Sequence, residues 1–222
     1  NCKVQMHLGD QVTPLDLFYL IQSTLLRDWE RCGDPGLTLT EMWLQFVKYR
    51  NDDPKPGNLL FATALGKFKE IPYTVAIVMR GGTSCMFPIF ECEGEEYTIG
   101  TIQARPSILS RQWRAGIAGM VDGKGFKVAG VAESLQEAGI VLLPNQLIPL
   151  VDRPIQLSPG LLHEPWMPFT HKPKTISRPE LDLLHDRNRG ELREGEFITT
   201  KVVKVADFPD WIMGDPNAHF VD

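Results

Sequence analysis

Two kinds of apolar pattern divide the chain. Before residue 71, Phe18, Ile21, Leu25, Trp29 and Cys32 recur at spacings of three and four, followed by Met42, Phe46 and Tyr49. That spacing places side chains on one face of a helix. Thr13-Pro14-Leu15-Asp16 offers a cap, a proline suited to the first helical position and a carboxylate at the positive end of the helix dipole. Cys32-Gly33-Asp34-Pro35-Gly36 is a stop. Thr38 and Glu41 then match a capping box that opens a second helix, ending near Asn51-Asp52-Asp53-Pro54. The pattern predicts an αα-hairpin over residues 13–52. Leu60, Ala64 and Phe68 predict one more short helix within 58–70.

From residue 71 the runs become short, β-branched and punctuated by turn residues. Tyr73 to Met79, the turn Arg80-Gly81-Gly82-Thr83 and Cys85 to Phe90 predict a hairpin, with Tyr97 to Ile102 as a further strand. Ser107 to Trp113 has helical composition, Asp122-Gly123-Lys124-Gly125 is a turn, and Phe126 to Val131 reads as a strand. Ala132 to Ala138 reads as a helix stopped by Gly139, and Ile140 to Leu143 as a short buried strand. Eight prolines between Pro144 and Pro179 exclude a helix or central strand there. Leu161, Leu162, Trp166, Met167 and Phe169 make that segment an extended wrap over the surface rather than a solvated tether. Ser177 and Glu180 form a second capping box, and Glu196 to Val205 is the last strand. The tail from Asp207, with Trp211 and Phe220, reads as docked or as an arm that grips a neighbour.

The expected class is therefore α+β: an N-terminal αα-hairpin packed on a mixed, mainly antiparallel sheet, with a proline-rich wrap and a C-terminal strand plus arm. One domain over residues 1–222 is expected, with the β-rich core at 71–143, the extended segment at 144–179 and the C-terminal helix, strand and tail at 177–222. A chain of 222 residues buries enough surface to fold without a metal or disulfide.

Composition changes the picture little: 43% hydrophobic and 23% charged is ordinary for a globular chain. The net charge of −5 argues against a generally basic nucleic-acid binder. No apolar run reaches the length of a membrane span. Cys2, Cys32, Cys85 and Cys92 have no CxxC spacing and read as free thiols in a reducing compartment, which predicts a soluble cytoplasmic protein.

Among candidate sites, Arg80, Gly81, Gly82, Thr83 and Ser84 combine converging backbone N–H groups with hydroxyl and guanidinium donors, which suits an anion. This segment resembles the RGGTS segment of isomerases built on the diaminopimelate-epimerase fold. The likeness spans only about ten residues and stops at Cys85-Met86. No GxxxxGK[ST] or GxGxxG pattern occurs. His163, His171, His185 and His219 lack the close pairing of a zinc site, and a thiol beside Met86 and Phe87 reads as core rather than nucleophile. No metal and no cofactor is expected.

Glu91, Glu93, Glu95 and Glu96 form an acidic turn, while residues 103–131 carry five basic side chains against one acidic. Arg105, Arg111, Trp113 and Arg114 in that segment either meet nucleic acid or pair with the acidic turn of a neighbouring subunit. The second use fits the net charge better. With Trp211 and Phe220 in the tail, these residues predict a non-enzymatic assembly protein that works through protein surfaces or self-association. The alternatives are an enzyme or ligand-binding protein with its anion site at Arg80 to Ser84, and nucleic-acid binding through residues 105–127.

Overall fold

A computed structural model describes residues 5–17, 37–48, 59–68, 70–105, 110–121, 123–190 and 197–214. The strands in chain order are β1 (Gln5–Leu8), β2 (Leu37–Lys48), β3 (Leu59–Phe68), β4 (Ile71–Met79), β5 (Thr83–Met86), β6 (Phe90–Cys92), β7 (Glu95–Arg105), β8 (Ser110–Met120), β9 (Ile148–Pro149), β10 (Ile155–Gln156), β11 (Leu162–His163), β12 (Pro165–Thr170), β13 (Lys174–Thr175), β14 (Asn188–Arg189) and β15 (Ile198–Lys204). The helices are α1 (Phe126–Ala138), α2 (Arg178–Asp182) and α3 (Phe208–Met213). The protein is a sheet-rich α+β chain. Its residues gather into two compact units, one of 1–83, 120–125 and 154–166, the other of 84–119, 126–153 and 167–222.

The first unit holds one mixed sheet in the order β1-β2-β3-β4-β11, antiparallel in the middle and parallel at both edges. Here the helical expectations are corrected. Thr38 to Lys48 is not a second helix, and 59–68 is not a short one; both are strands. The reason is an aliased period: residues four apart share a face after about one helical turn, and also after two strand repeats. The intervening positions decide. Leu44 lies between Met42 and Phe46, Ala62 lies between Leu60 and Ala64, and Met42, Leu44, Leu60, Ala62 and Ala64 are all buried while Trp43 and Phe61 are exposed. A bulge between Leu44 and Phe46 then shifts the alternation by one. As a result Val47 packs on the core, and Phe46 meets Phe61 edge-on at 5.9 Å outside it. The first predicted helix is described only at its start, a turn at 14–17 in which Thr13 N–H and Oγ1 each donate to Asp16 Oδ2 at 2.7 Å. Its continuation through Cys32, and the Asn51-Pro54 stop, lie outside the described residues.

The second unit is built on a sheet in the order β12-β5-β8-β7-β15-β14, with β6 pairing β7 and β13, and β9 pairing β12. The predicted hairpin of 73–79 with 85–90 does not form. β4 pairs with β3 through nine residues, from Phe68↔Ile71 to Leu60↔Met79, around a turn where Glu70 takes φ 69°. β5 lies between β12 and β8 instead. The hairpin that does form is β6–β7, whose acidic turn places Glu93 and Gly94 at φ 52° and 81°. Two positive φ values in succession match the right-handed twist of the flanking strands. β15 pairs with β7 over seven residues, from Ile198↔Gln103 to Lys204↔Tyr97, close to the predicted last strand.

Two further expectations reverse. Ser107 to Trp113 is not helical, since Ser110 onward belongs to β8, and Phe126 to Val131 is the first half of α1 rather than a strand. Gly130, Ser134 and Ala138 form a small-residue stripe at helical spacing, and Ser134 Oγ donates to Gly130 O at 2.7 Å. A Cβ on Gly130 would lie 2.8 Å from Ser84 Oγ and 3.1 Å from Leu147 Cδ2. Close packing on this stripe outweighs the poor helix propensity of Val128, Gly130 and Val131. Gly139, at φ 70°, ends the helix as expected, but Ile140 to Leu143 is irregular rather than a strand. The Ser177 capping box is present: Ser177 N–H and Oγ donate to Glu180 Oε2 at 2.8 and 2.7 Å. The expectation that its prolines exclude a central strand from the 144–179 segment is corrected: β12, with Pro165 and Pro168, lies between β10 and β5, while Pro144–Gln146 is a single 3-10 turn. The core of this unit is Met86, Phe90, Ile99, Ile117, Leu147, Phe169 and Leu181 with their neighbours.

Candidate functional site

The only described helix longer than two turns presents a pair of carboxylates. Glu133 and Glu137 are one turn apart on α1, so they share a face, and that face meets the end of β8. Glu137 is buried and accepts a hydrogen bond from the Ala118 N–H at 3.0 Å. Glu133 is half-buried and lies over the next residue, where a Cβ on Gly119 would come within 2.0 Å of its Cδ and Oε1. Only glycine leaves room for the carboxylate there. The two acids therefore differ: Glu137 fastens α1 to β8, and the Glu133 carboxylate lies against Gly119.

The geometry makes a specific prediction for Gly119→Ala. The atoms it would strike are the far end of a flexible side chain, so the fold should survive with stability changed by less than about 1 kcal/mol. The Glu133 carboxylate, however, must leave its place. Thermal unfolding close to wild type is the expected result, and a loss above about 1 kcal/mol would mean that the Glu133 side chain cannot give way.

Cys85 is near enough to Glu137 to feel its charge. Burial, and then the charge of Glu137, push its thiol up to about 12. It stays protonated and is not a nucleophile at neutral pH. Because the unfolded thiol ionises near 9.0 and the folded one does not until far higher, its contribution to stability is complete below pH 9 and is lost as pH rises toward 12. Urea unfolding should show wild type losing stability between pH 8.5 and about 10.5 more steeply than Cys85→Ala; parallel profiles would contradict the assigned environment. Cys85 and Cys92 are both buried, unpaired thiols, as the spacing predicts. Cys2 and Cys32 lie outside the described residues.

The residues singled out in the sequence are placed as follows. Arg80 and Thr83 close on a carboxylate of the chain itself: Thr83 Oγ1 donates to Glu164 Oε1 at 2.6 Å, and Arg80 Nη1 lies 3.5 Å from the same oxygen. Gly81 takes φ 93°, Gly82 O accepts from the Val121 N–H at 2.8 Å, and Ser84 is fully buried near Gly130. The acidic turn also finds partners in its own chain. Glu93 meets Arg178 at 2.6 Å, Glu91 accepts from Thr175 at 3.2 Å, and Glu95 lies 3.5 Å from Lys204, while Glu96 is exposed on β7.

Arg114 donates to Trp211 O at 2.9 Å and lies over the Trp211 ring at 5.7 Å. That ring covers Gly100, whose added Cβ would fall within 2.3 Å of it, and Phe208 stacks beside it at 5.5 Å. Trp211 thus docks α3 on β7. Arg105 is half-buried at the end of β7, Trp113 is exposed on β8, and Arg111 belongs to β8 with its side chain outside the described residues, as is Phe220. His185 is a structural corner, accepting from the Val202 N–H at 3.1 Å and lying 3.1 Å from Asp186. Among the described residues no three His, Cys, Asp or Glu side chains converge as metal ligands, and no helix is long and apolar enough to cross a membrane.

Glu133 and Glu137 were not among the predicted site residues. The available signal was an acidic pair at helical spacing just before the Gly139 stop, and reading Phe126 to Val131 as a strand left that helix too short to show it.

No protein-family model and no curated protein matches the chain. Among solved structures it is similar to the crystal structure of an ADP compounds hydrolase, at 13% identity and a TM-score of 0.51, covering 85% of this chain and 92% of that one. At that identity the likeness concerns the fold alone. It corrects the expectation of a non-enzymatic assembly protein: this chain shares the architecture of an enzyme, and of the features that suggested assembly, Glu91, Glu93, Glu95, Arg114 and Trp211 find partners within the chain itself.

Proposed function

We propose that the protein is a hydrolase acting on the diphosphate linkage of ADP-type compounds, with Glu133 at its centre. The observation that carries this reading is the Glu133–Gly119 contact: a half-buried carboxylate pressed on a strand end and backed by the anchored Glu137, in a fold shared with an ADP compounds hydrolase. Hydrolysis requires a water oxygen to bond to phosphorus while the bridging P–O bond breaks. The proton leaving the water passes to a base, and the departing phosphate oxygen carries the electron pair of the broken bond. In this reading Glu133 is that base, or holds the ion that polarises the phosphate.

Two neighbouring carboxylates, with no third ligand converging on them among the described residues, suit a Mg²⁺ ion of the sort that shares its coordination with substrate phosphates rather than one enclosed by the protein. Glu133, with Glu137 behind it, would hold such an ion, and when bound it would neutralise charge developing on the phosphoryl oxygens. The protein's own contribution is to fix the carboxylate. Gly119 gives it room, and the Ala118 N–H, by holding Glu137, sets the roll of α1.

The test is a panel of ADP-sugars and dinucleoside diphosphates incubated with purified protein and Mg²⁺, with AMP release followed by chromatography. AMP formation that disappears in Glu133→Gln supports the reading. A panel with no product from any member, using protein shown to be folded, would sink it.

A further inference from the structure

We infer that a second ligand site lies beyond the C-terminal end of α1 and takes a small apolar anion. A cavity of 790 Å³ opens there, within the range of small-molecule sites, and neither Glu133 nor Glu137 lines it. Its walls are aliphatic where Ile140, Leu142, Ile148, Ile176 and Leu184 meet, and residues 139–142 form one side directly after α1. The opposite side is fixed by the chain, since Lys174 N–H donates to Ile89 O at 3.1 Å and Ile176 N–H donates to Glu91 O at 3.0 Å. The shape does not depend on a ligand to organise it.

Charge selects the ligand. Two cations, Lys172 and Lys174, line the cavity, are exposed and form no ion pair with another described residue. The single carboxylate in the lining, Glu180, accepts from the Ser177 backbone N–H and hydroxyl and lies within the field of Lys174, so it offsets one of the two cations. The lining therefore carries a net positive charge over aliphatic walls. The His171 ring is fixed in the lining by its Nδ1–H, which donates to Lys172 O at 2.5 Å. Phe90 meets the His171 ring edge-on at 5.7 Å, which leaves no parallel pair of rings to sandwich a nucleobase. A short aliphatic chain ending in a carboxylate matches these walls and this charge.

Octanoate is a suitable probe, with octylammonium as its charge-reversed control. Titrating octanoate into the ¹⁵N-labelled full chain should shift the Gly139 to Leu142 amides saturably at one site, and octylammonium should not. Lys172→Glu combined with Lys174→Glu, both exposed and therefore compatible with folding, should weaken octanoate at least about tenfold. The inference is overturned if shifts are absent or unsaturable, if octylammonium binds equally, or if the double variant binds octanoate like wild type. Because the readout is binding to this wall, it fails or succeeds independently of any hydrolytic activity.

Discussion

Replacing Glu133 with glutamine should lower turnover of an ADP-linked substrate by about 10²–10⁴-fold, the range for loss of a positioned base. Thermal unfolding should stay near wild type. Glutamine keeps the shape that rests on Gly119 and removes only the charge and the basic oxygen. Glu137→Gln separates the two acids. It retains a carbonyl oxygen to accept from Ala118 N–H but loses the charge, so the effect there divides between stability and activity according to how much of Glu137's duty is anchoring. If Glu133→Gln retains full kcat while Glu137→Gln abolishes it, the roles assigned to the pair are reversed. If neither changes turnover, the site lies elsewhere.

Phe169→Ala should carry the largest stability cost, about 3–5 kcal/mol, the usual penalty for emptying a buried aromatic site. Phe169 is 2% exposed, belongs to the core with Met86, Ile117 and Leu147, and lies on β12, where its carbonyl accepts from the Phe87 N–H at 2.8 Å. The surrounding walls cannot close easily on the space, because they come from strands fixed by pairing and from α1, whose Gly130 already packs against Leu147. Urea unfolding of the variant measures the loss directly. A change below about 1 kcal/mol would mean that this core collapses readily and that β12 contributes little to it.

Local chemistry was legible where a residue's own backbone demand or side-chain reach settled the matter. The Ser177–Glu180 box, the Gly139 stop, the acidic turn at Glu93-Gly94 and the last strand before Val205 all follow from propensities that act within a few residues. The segment Arg80 to Thr83 was expected to offer donors to an anion, and only tertiary structure showed that Glu164, far along the chain, lies against Thr83 and Arg80. The same holds for Trp211, whose exposure or docking depended on Gly100 leaving a flat place on β7.

The sequence by itself determined an α+β class, the buried free thiols Cys85 and Cys92, and the sites of several caps and turns, because each rests on composition or on contacts spanning a few residues. Only the tertiary structure decided whether positions four apart belonged to helices or strands in 37–68, since both periods place them on one face and the pairing of β2 with β3 breaks the tie. It also decided that 126–138 is one helix, because the Gly130, Ser134 and Ala138 stripe gains its worth from what it packs against. With that helix whole, Glu133 and Glu137 fall on one face beside Gly119, a juxtaposition that depends on a strand and a helix meeting and is written in neither alone.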